Sequence, residues 1–508
     1  MNRDFLRSPK LLKTIVGATL LFPIALLAIK SDELTPIPTT SNEVAKYIEH
    51  SQEKIQHTLS KLASTPRESQ TPETMLRPWN RLANDLITDF GMLTFVAGTD
   101  LPSKASAQQA IQDHQSFLSK SLIQNPELFR SILNYAEKAI GSEQPLSPYQ
   151  NYEISCLLNS CEGVKDSLTQ AEQVKFRMLL DQNAKQEKKP FIYLKSQTPE
   201  KMASAEEVKS GLTILTLNTC FVPGDFPYIF GGVFLPWQKR VQTLGDKILS
   251  ADADVVCLQE VHAEDASYAL YEKLKGRYTH FYAAIGPRFL GFSLSTLGLP
   301  SGLFVASKYA IEKPEFTLFK AAGFPMNYGF FDFILKNGDE PVAHIFTTHL
   351  QSLNYLHFPE IRASQLTQLL ERMETEFNAQ KQEIPFFLCG DLNIPLGSDE
   401  PGEAIIKKYF HDDYNKNQGH ISEANGTCTD YFTNYLLASR GAIKEITPNF
   451  EILDYALLLK SLPLCNKENV CHQYEISTSI LQMHEISRPE HAISDHNGLV
   501  TRVNPKSL

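Results

Sequence analysis

The sequence predicts a layered α/β domain of roughly 300 residues behind a helical region, and three observations carry that expectation. From Gly211 onward, short runs rich in β-formers alternate with helical stretches. From residue 31 to about residue 185, apolar residues recur instead at helical spacing. Between the two lies Gln186 to Ser210, a polar segment with Pro190 and Pro199 that reads as a linker. With 42% hydrophobic and 21% charged residues the chain has enough apolar surface for a large core, which excludes a disordered polypeptide.

Taken in order, residues 1–30 form a leader. Arg3, Arg7, Lys10 and Lys13 precede an uncharged stretch from Thr14 to Ile29, closed by Lys30. A basic flank before an apolar run reads as a signal peptide or a single signal-anchor helix, with a buried core helix as the structural alternative. Pro23 lies inside the run, which is shorter than the ~20 residues that an ~30 Å hydrocarbon core requires. In either targeting reading the rest of the chain leaves the cytosol, so a membrane-anchored or secreted location is expected.

Residues 31–185 read as an amphipathic helical domain without any chemical constellation. Val44, Ile48, Ile55, Leu59 and Leu62 mark one helix, and Leu82, Leu86, Ile87 and Leu93 another, with breaks at Pro66, Pro72, Pro102 and Pro145. Cys156 with Cys161, and Cys465 with Cys471, are spaced to close small loops in an oxidising compartment. Cys220, Cys257 and Cys389 sit in apolar runs and read as inert buried thiols; no spacing resembles a zinc site.

Residues 211–508 carry the chemistry. Strands are expected at Leu212–Leu217, Val255–Leu258, Leu303–Ala306, His344–Thr348, Phe386–Leu388 and Leu453–Leu459, with helices at Trp237–Leu249 and Glu360–Phe377. Polar residues stand at the ends of these runs, where loops present them to a cleft: Asn218, Glu260, His349, Asp391, Asn393 and Asp454, then Asp495 and His496 before a last apolar stretch. Each alone also fits a structural role, such as a turn cap for Asn218 or a satisfied core histidine for His349. Together they are the groups that hydrolysis of a phosphate ester requires. A hard divalent cation takes carboxylate and amide oxygens, histidine suits the base that activates water, and the charge developing on phosphorus needs donors.

The motifs Leu217-Asn218, Gln259-Glu260-Val261, Thr348-His349-Leu350, Gly390-Asp391-Leu392-Asn393, Leu453-Asp454-Tyr455 and Ser494-Asp495-His496 resemble, in order, those of the endonuclease/exonuclease/phosphatase superfamily. The resemblance spans roughly residues 211 to 503. It implies a deoxyribonuclease-I-like fold, a four-layer α-β-β-α sandwich, here preceded by a helical N-terminal domain and a hydrophobic leader or anchor. Within that superfamily the chain is most similar to bacterial-type neutral sphingomyelinases. The supporting stretches are Ser301-Gly302-Leu303 to Ile311, Phe319 to Phe333, His349-Leu350-Gln351 with Ile361-Arg362 and Gln365, and Asn425-Gly426-Thr427 with Thr429, which resembles a substrate-side loop. A departure follows His496, where the family usually continues with an aromatic or small residue and proline and this chain has Asn497-Gly498-Leu499.

By this resemblance Glu260 would be the direct ligand of Mg²⁺ (or Mn²⁺ or Co²⁺), with Asn218 its neighbour in the metal shell. His496 would be the general base and His349 a donor to a phosphate oxygen. Asp391 and Asn393 would position water and phosphate, and Asp454 and Asp495 would orient or support that end of the site. The activity implied is phosphodiester hydrolysis of a membrane phospholipid, sphingomyelin to ceramide and phosphocholine. An inositol-polyphosphate 5-phosphatase-like phosphomonoesterase is the alternative, followed by a nuclease and an inactive scaffold. No nucleic-acid partner is expected, because from Gly211 onward 34 Asp/Glu stand against 24 Lys/Arg and repel phosphates. The residues point to no protein partner. Two apolar segments are candidates for shallow membrane insertion or for packing on the helical domain. One holds Phe289, Leu290, Phe292, Leu294, Leu297 and Leu299, and the other runs from Phe221 to Trp237.

Overall fold

The computed structural model of the chain describes residues 38–505, except 39, much of 73–102, 119, 122–124, most of 142–167, 186–190, 202–210, 222–236, 263, 287–288, 291–296, 299–300, 323–326, 353–356, 380–383, 415–419, 430–448, 461–473 and 485–491. The leader lies outside the described residues. Among those described, no helix is long and apolar enough to cross a membrane.

In the helical region each helix buries one stripe. Helix α1 (Ser41–Ser64) opens with a capping box, in which Thr40 and Glu43 each accept from the other's backbone N–H. It buries Val44, Ile48, Ile55, Leu59 and Leu62, the stripe its spacing predicts. Helices α2 (Lys104–Leu118), α3 (Pro126–Ile140) and α4 (Gln170–Lys185) follow. Asn125 caps α3 by accepting from Leu128 N, and Pro126 occupies the first turn, where a missing N–H costs nothing. Ile55, Leu59 and Leu62 share a core with Leu82, Leu86, Phe129 and Phe176.

The remainder is built on two mixed β-sheets. The first runs, edge to edge, through Ile192–Lys195 (β1), His280–Ala283 (β4), Phe304–Ser307 (β7), Val255–Val261 (β3), Leu212–Phe221 (β2), Gly498–Pro505 (β17) and Tyr474–Leu481 (β16). The second runs through Phe410–His411 (β12), Asp454–Leu459 (β15), Phe386–Asp391 (β11), Glu340–His349 (β10), Gly329–Asn337 (β9) and Ala310–Leu318 (β8). Two short ribbons complete the strands, Phe289–Leu290 (β5) with Leu297–Gly298 (β6) and Cys428–Thr429 (β13) with Phe450–Glu451 (β14).

Alternation along each strand sets the layers. Ile214, Val255, Cys257 and Val305 meet Phe331, Phe333, Ile345 and Cys389 between the sheets. Their neighbours Leu215, Leu217, Val256 and Leu258 pack outward under helices α5 (Trp237–Ala251) and α6 (Glu264–Leu274). On the far side Phe346, Phe386 and Leu388 are covered by α7 (Phe358–Ala379) and α8 (Pro401–Tyr409). Helices thus flank both sheets, as the expected sandwich requires.

Strand direction then gathers the polar residues at one end. β2 and β3 are parallel, as are β10 and β11, so Asn218, Glu260, His349 and Asp391 all emerge together. β15 and β17 run antiparallel to β11 and β2, which brings their beginnings, Asp454 and the 494–497 loop, to the same end.

The linker expectation needs one correction. Within 186–210, residues 192–195 form β1, an edge strand paired with β4. Ser196 N and Lys201 N also bond the sandwich, at Thr279 O and Lys308 O, and Lys201 Nζ reaches Asp254 Oδ1 at 2.8 Å. The apolar run from Phe191 to Leu194, with Phe191 and Ile192 buried, overrides the polar average of the segment. Of the two apolar segments proposed for membrane contact, the structure describes the backbone pairing of β5 with β6; the remainder of that loop and residues 222–236 lie outside the described residues.

Arg362 is the largest fully buried side chain. Its guanidinium grips Glu400 in a two-pronged pair (Nη2–Oε1 2.7 Å, Nε–Oε2 3.1 Å) and donates to Gln351 O at 3.2 Å, tying α7 to the loop after His349. Arg362→Met should therefore cost about 3 kcal/mol by leaving a carboxylate without its partner, read in urea unfolding of the full chain. A loss under about 0.5 kcal/mol, the size expected of an ordinary surface change, would contradict this.

Candidate active site

Each polar side chain reaches the cleft through a local backbone device. In β2 the register slips between Asn218 and Phe221, and Cys220 adopts φ 51°. The bulge lets Asn218 Oδ1 accept from Cys220 N at 3.0 Å, which turns the amide nitrogen into the cleft. Asn218 Nδ2 then donates to Glu260 Oε1 (3.0 Å) and to Asp391 Oδ2 (3.0 Å), joining the two sheets.

Glu260 itself stands at φ 58° within β3, and Asn393 at φ 51°. Such left-handed positions cost of order 1–3 kcal/mol each and cluster where the fold must aim a side chain. Gly302 (φ 72°) makes room beside Glu260, because a Cβ there would lie 3.0 Å from Glu260 Cα and 2.5 Å from His262 Cε1. Gly390 (φ 145°) does the same before Asp391, since its Cβ would meet Thr348 O at 1.9 Å.

From the second sheet, Asp391 Oδ1 accepts from Asn393 N at 2.9 Å, while Asn393 Nδ2 donates to Leu350 O at 3.2 Å. His349 is 2% exposed, and neither ring nitrogen has a hydrogen bond among the described residues; Nε2 lies 3.6 Å from Asp391 Oδ2. Its ring is met edge-on by Tyr328, whose hydroxyl is tied to Ser352 Oγ at 2.7 Å. Asp454 is fully buried and accepts from His496 Nδ1 at 2.7 Å, leaving His496 Nε2 directed toward Asp391 Oδ2 at 3.8 Å.

The loop bearing His496 is held from several sides. Ser494 Oγ donates to Asn218 O (2.7 Å) and accepts from His496 N (3.2 Å). Asn497, where the family pattern is lost, is buried and accepts from Met483 N (2.8 Å) and donates to Gly426 O (3.1 Å), so the departure is a clasp within the fold. Asp495 is half-buried beside this loop.

The structure thus brings the eight expected residues together at one end of the two sheets. Sequence reasoning missed Tyr328 and Ser494. In the Asn425–Thr429 stretch, which resembles a substrate-side loop, Thr427 is buried and its hydroxyl accepts from Leu453 N and Asp454 N. Cys257 and Cys389 are buried free thiols as expected, but Cys220 is half-buried at the bulge. Cys428, which bridges to His496, carried no sequence signal. The two remaining cysteine pairs lie outside the described residues.

Charge in the cleft is unbalanced. Burial raises the Glu260 carboxyl above its usual range; His349 opposes this and Asp495 adds to it. Burial alone would lower His496, but Cys428 and the carboxylates of Asp454 and Asp391 outweigh it and hold the imidazole well above its ordinary value. Glu260, Asp391, Asp454 and Asp495 make no ion pair with Lys or Arg among the described residues, and the partners of Asp391 and Asp454 there are histidines.

This donor set fits a hard divalent cation. Two carboxylates already converge on one amide nitrogen that carries only a partial positive charge, and Asp454 Oδ1 is buried without a hydrogen bond among the described residues. A second grouping, Asp391, Asp454 and His496, has ligand atoms within 4.8 Å of one another. Glu260 stands outside that group. Because His496 Nδ1 and Asp454 are already committed to each other at 2.7 Å, the Glu260 carboxylate is the more open to a cation, while Asn218 beside it presents its amide nitrogen, a donor, rather than its oxygen.

Residues 215–455 match the Endonuclease/Exonuclease/phosphatase family model, and the expected resemblance holds there. The match contains Asn218, Glu260, His349, Asp391, Asn393 and Asp454; Asp495 and His496 lie beyond it. The CCR4-Not complex 3'-5'-exoribonuclease subunit Ccr4 of Candida glabrata is 27% identical over 292 residues, 51% of this chain and 33% of that protein. The chain therefore spans about a third of the length of this curated relative. Among solved structures, the beta toxin of Staphylococcus aureus is 19% identical, with 58% of this chain and 100% of that chain covered and a TM-score of 0.41. Sphingomyelinase C from Streptomyces griseocarneus is 19% identical, with 58% and 99% covered and a TM-score of 0.40.

The His496 proton gives a direct check. With no metal added, nitrogen-detected NMR should show the His496 ring still protonated well above pH ~6.5, the usual midpoint. Replacing Asp454 with Asn removes one of the stabilising partners and should move that midpoint down. A wild-type midpoint at or below the usual value would refute the electrostatic reading.

Proposed function

We propose that this chain is a divalent-cation-dependent phosphodiesterase that releases the headgroup of a membrane phospholipid, with sphingomyelin as its first substrate and phosphocholine as product. The observation that carries the reading is the Asn218-bridged pair Glu260 and Asp391, with Asp391 Oδ2 within 4 Å of His349 Nε2 and of Nε2 in the His496–Asp454 couple. A match to a family of phosphoric ester hydrolases supports the reaction class.

Glu260, with Asn218 beside it, would hold Mg²⁺ (or Mn²⁺ or Co²⁺), which when bound would neutralise charge on a phosphate oxygen. Water attacks phosphorus in line with the leaving alkoxide. The new P–O bond forms as the ester P–O bond breaks, and the leaving alkoxide takes a proton from solvent. The water proton passes to Nε2 of a neutral His496, the form that a bound cation's charge would favour over the protonated ring of the metal-free site. Asp454 fixes that choice of nitrogen, because its bond to Nδ1 leaves only Nε2 to face the cleft. Asp391 and Asn393 position water and phosphate, and Asp495 supports the histidine end. His349, buried with both ring nitrogens open, donates to a phosphate oxygen in the transition state.

The acidic balance from Gly211 onward favours a lipid over a polyanionic nucleic acid. Action on a membrane accords with the leader, which we assign to anchoring or exporting the chain. A nuclease is the second reading, favoured by the similarity to Ccr4. An inositol-polyphosphate phosphomonoesterase would need Lys or Arg facing the cleft, and the described carboxylates have none beside them.

Assays on sphingomyelin, phosphatidylcholine, a phosphoinositide, plasmid DNA and an RNA oligonucleotide, each with Mg²⁺ or chelator, discriminate these readings. The expected outcome is chelator-sensitive phosphocholine release, lost by several orders of magnitude in Glu260→Ala and His496→Ala. His349→Ala should lower kcat about 10²- to 10³-fold, or ~3 kcal/mol, the value of one well-placed donor. Activity unchanged by chelator would sink the metal assignment, and preferential cleavage of RNA would transfer the assignment to a nuclease.

A further inference from the structure

We propose that Arg240 is a positioning residue for this hydrolysis, holding the Asn218 end of β2 and the Asp495–His496 loop in one register; the inference rests on the reading given above. Arg240 lies on α5 and is 3% exposed. The bulge between Asn218 and Phe221 takes Thr219 and Cys220 out of the β2–β3 register, and their carbonyls, buried at Thr219 and half-buried at Cys220, need other donors. Arg240 supplies them. Its Nη1 donates to Thr219 O at 3.0 Å and its Nη2 to Cys220 O.

Nη1 also donates to Ile493 O, on the other segment. Ile493 directly precedes Ser494, whose hydroxyl donates to Asn218 O. Two ties therefore join the same pair of segments, one at Asn218 itself and one at the two residues after it, and the second, from Arg240, spans three carbonyls. The guanidinium lies 4.9 Å from the centroid of the Phe221 ring, which fixes its plane. A lysine ammonium, a point charge on a flexible stem, cannot reproduce that fork.

These bonds to main-chain carbonyls point to a role in geometry rather than in holding phosphate. Moving the β2 end displaces Asn218 and with it the Glu260–Asp391 bridge; moving the 493 loop displaces His496. Loss of Arg240 should thus weaken cation binding and lower kcat together, with KM little changed.

The test uses the full chain carrying Arg240→Gln, Arg240→Lys or, as a control, Lys239→Ala at the exposed neighbouring position on α5. Manganese binding is read by electron paramagnetic resonance, and kcat and KM are measured on the ester that the wild type hydrolyses. Arg240→Gln is expected to lower kcat about 100-fold and to weaken Mn²⁺ binding about tenfold, with Arg240→Lys between it and the wild type. The control should match the wild type in both. A folded Arg240→Gln with wild-type kcat and Mn²⁺ affinity overturns the inference, as does a rise in KM alone, which would make Arg240 a substrate contact. Should the glutamine variant fail to fold, a lysine variant with wild-type kcat and affinity overturns it equally. A wild type that neither binds Mn²⁺ nor cleaves any ester refutes the hydrolase reading itself.

Discussion

One oxygen organises the cleft. Asp391 Oδ2 accepts from Asn218 Nδ2 at 3.0 Å and lies 3.6 Å from His349 Nε2 and 3.8 Å from His496 Nε2. These three neighbours come from different strand ends on two sheets, so the site exists only while the sheets keep their mutual register. The sheets meet through an apolar core in which Cys257, Phe331, Phe333 and Cys389 are fully buried. Close packing of that kind resists sliding, because a small displacement opens voids or forces clashes along the whole face. The hydrophobic interior thereby fixes the relative position of a carboxylate on one sheet and an amide on the other.

The cleft is arranged against local stability. Three non-glycine residues stand at positive φ beside it, four carboxylates crowd together, and a buried histidine has no hydrogen bond among the described residues. None of these features helps the chain fold. Surrounding main-chain bonds hold them in place: Thr427 on the first amides of β15, Ser494 on Asn218 O and Asn497 on two neighbouring segments. A polar centre kept unsatisfied by a rigid surround is prepared for a charged ligand, since little reorganisation is needed when the ligand arrives.

Much of this was legible in the sequence, and the reason is periodicity. The runs at 212–217, 255–258, 344–348 and 386–388 contain too many β-formers to be surface loops, and each ends at a polar residue. Strand termini could therefore be read as a set of cleft positions. Long-range partners were not legible. Nothing in Phe191 to Leu194 announces that it pairs with β4, and the alternating strand β16 carries too little apolar signal to stand out. Arg240 reads as one more charged residue on an amphipathic helix, and its three acceptors lie 20, 21 and 253 residues away. Ser494 is part of a recognised motif, yet its bond to Asn218 O depends on which strands become neighbours. Tyr328 looks like any core aromatic until His349 is placed against its ring. Such roles belong to the topology rather than to any local pattern.

The account stands or falls on whether the two sides of the cleft share one substrate. Crystals soaked in Mn²⁺ and inorganic phosphate, with diffraction collected at the manganese edge, would answer this. The expected map has an anomalous peak against Glu260 and Asn218 with a phosphate beside it, in reach of both His349 and His496. Manganese bound elsewhere on the domain, or phosphate at a site that touches neither histidine, would contradict it.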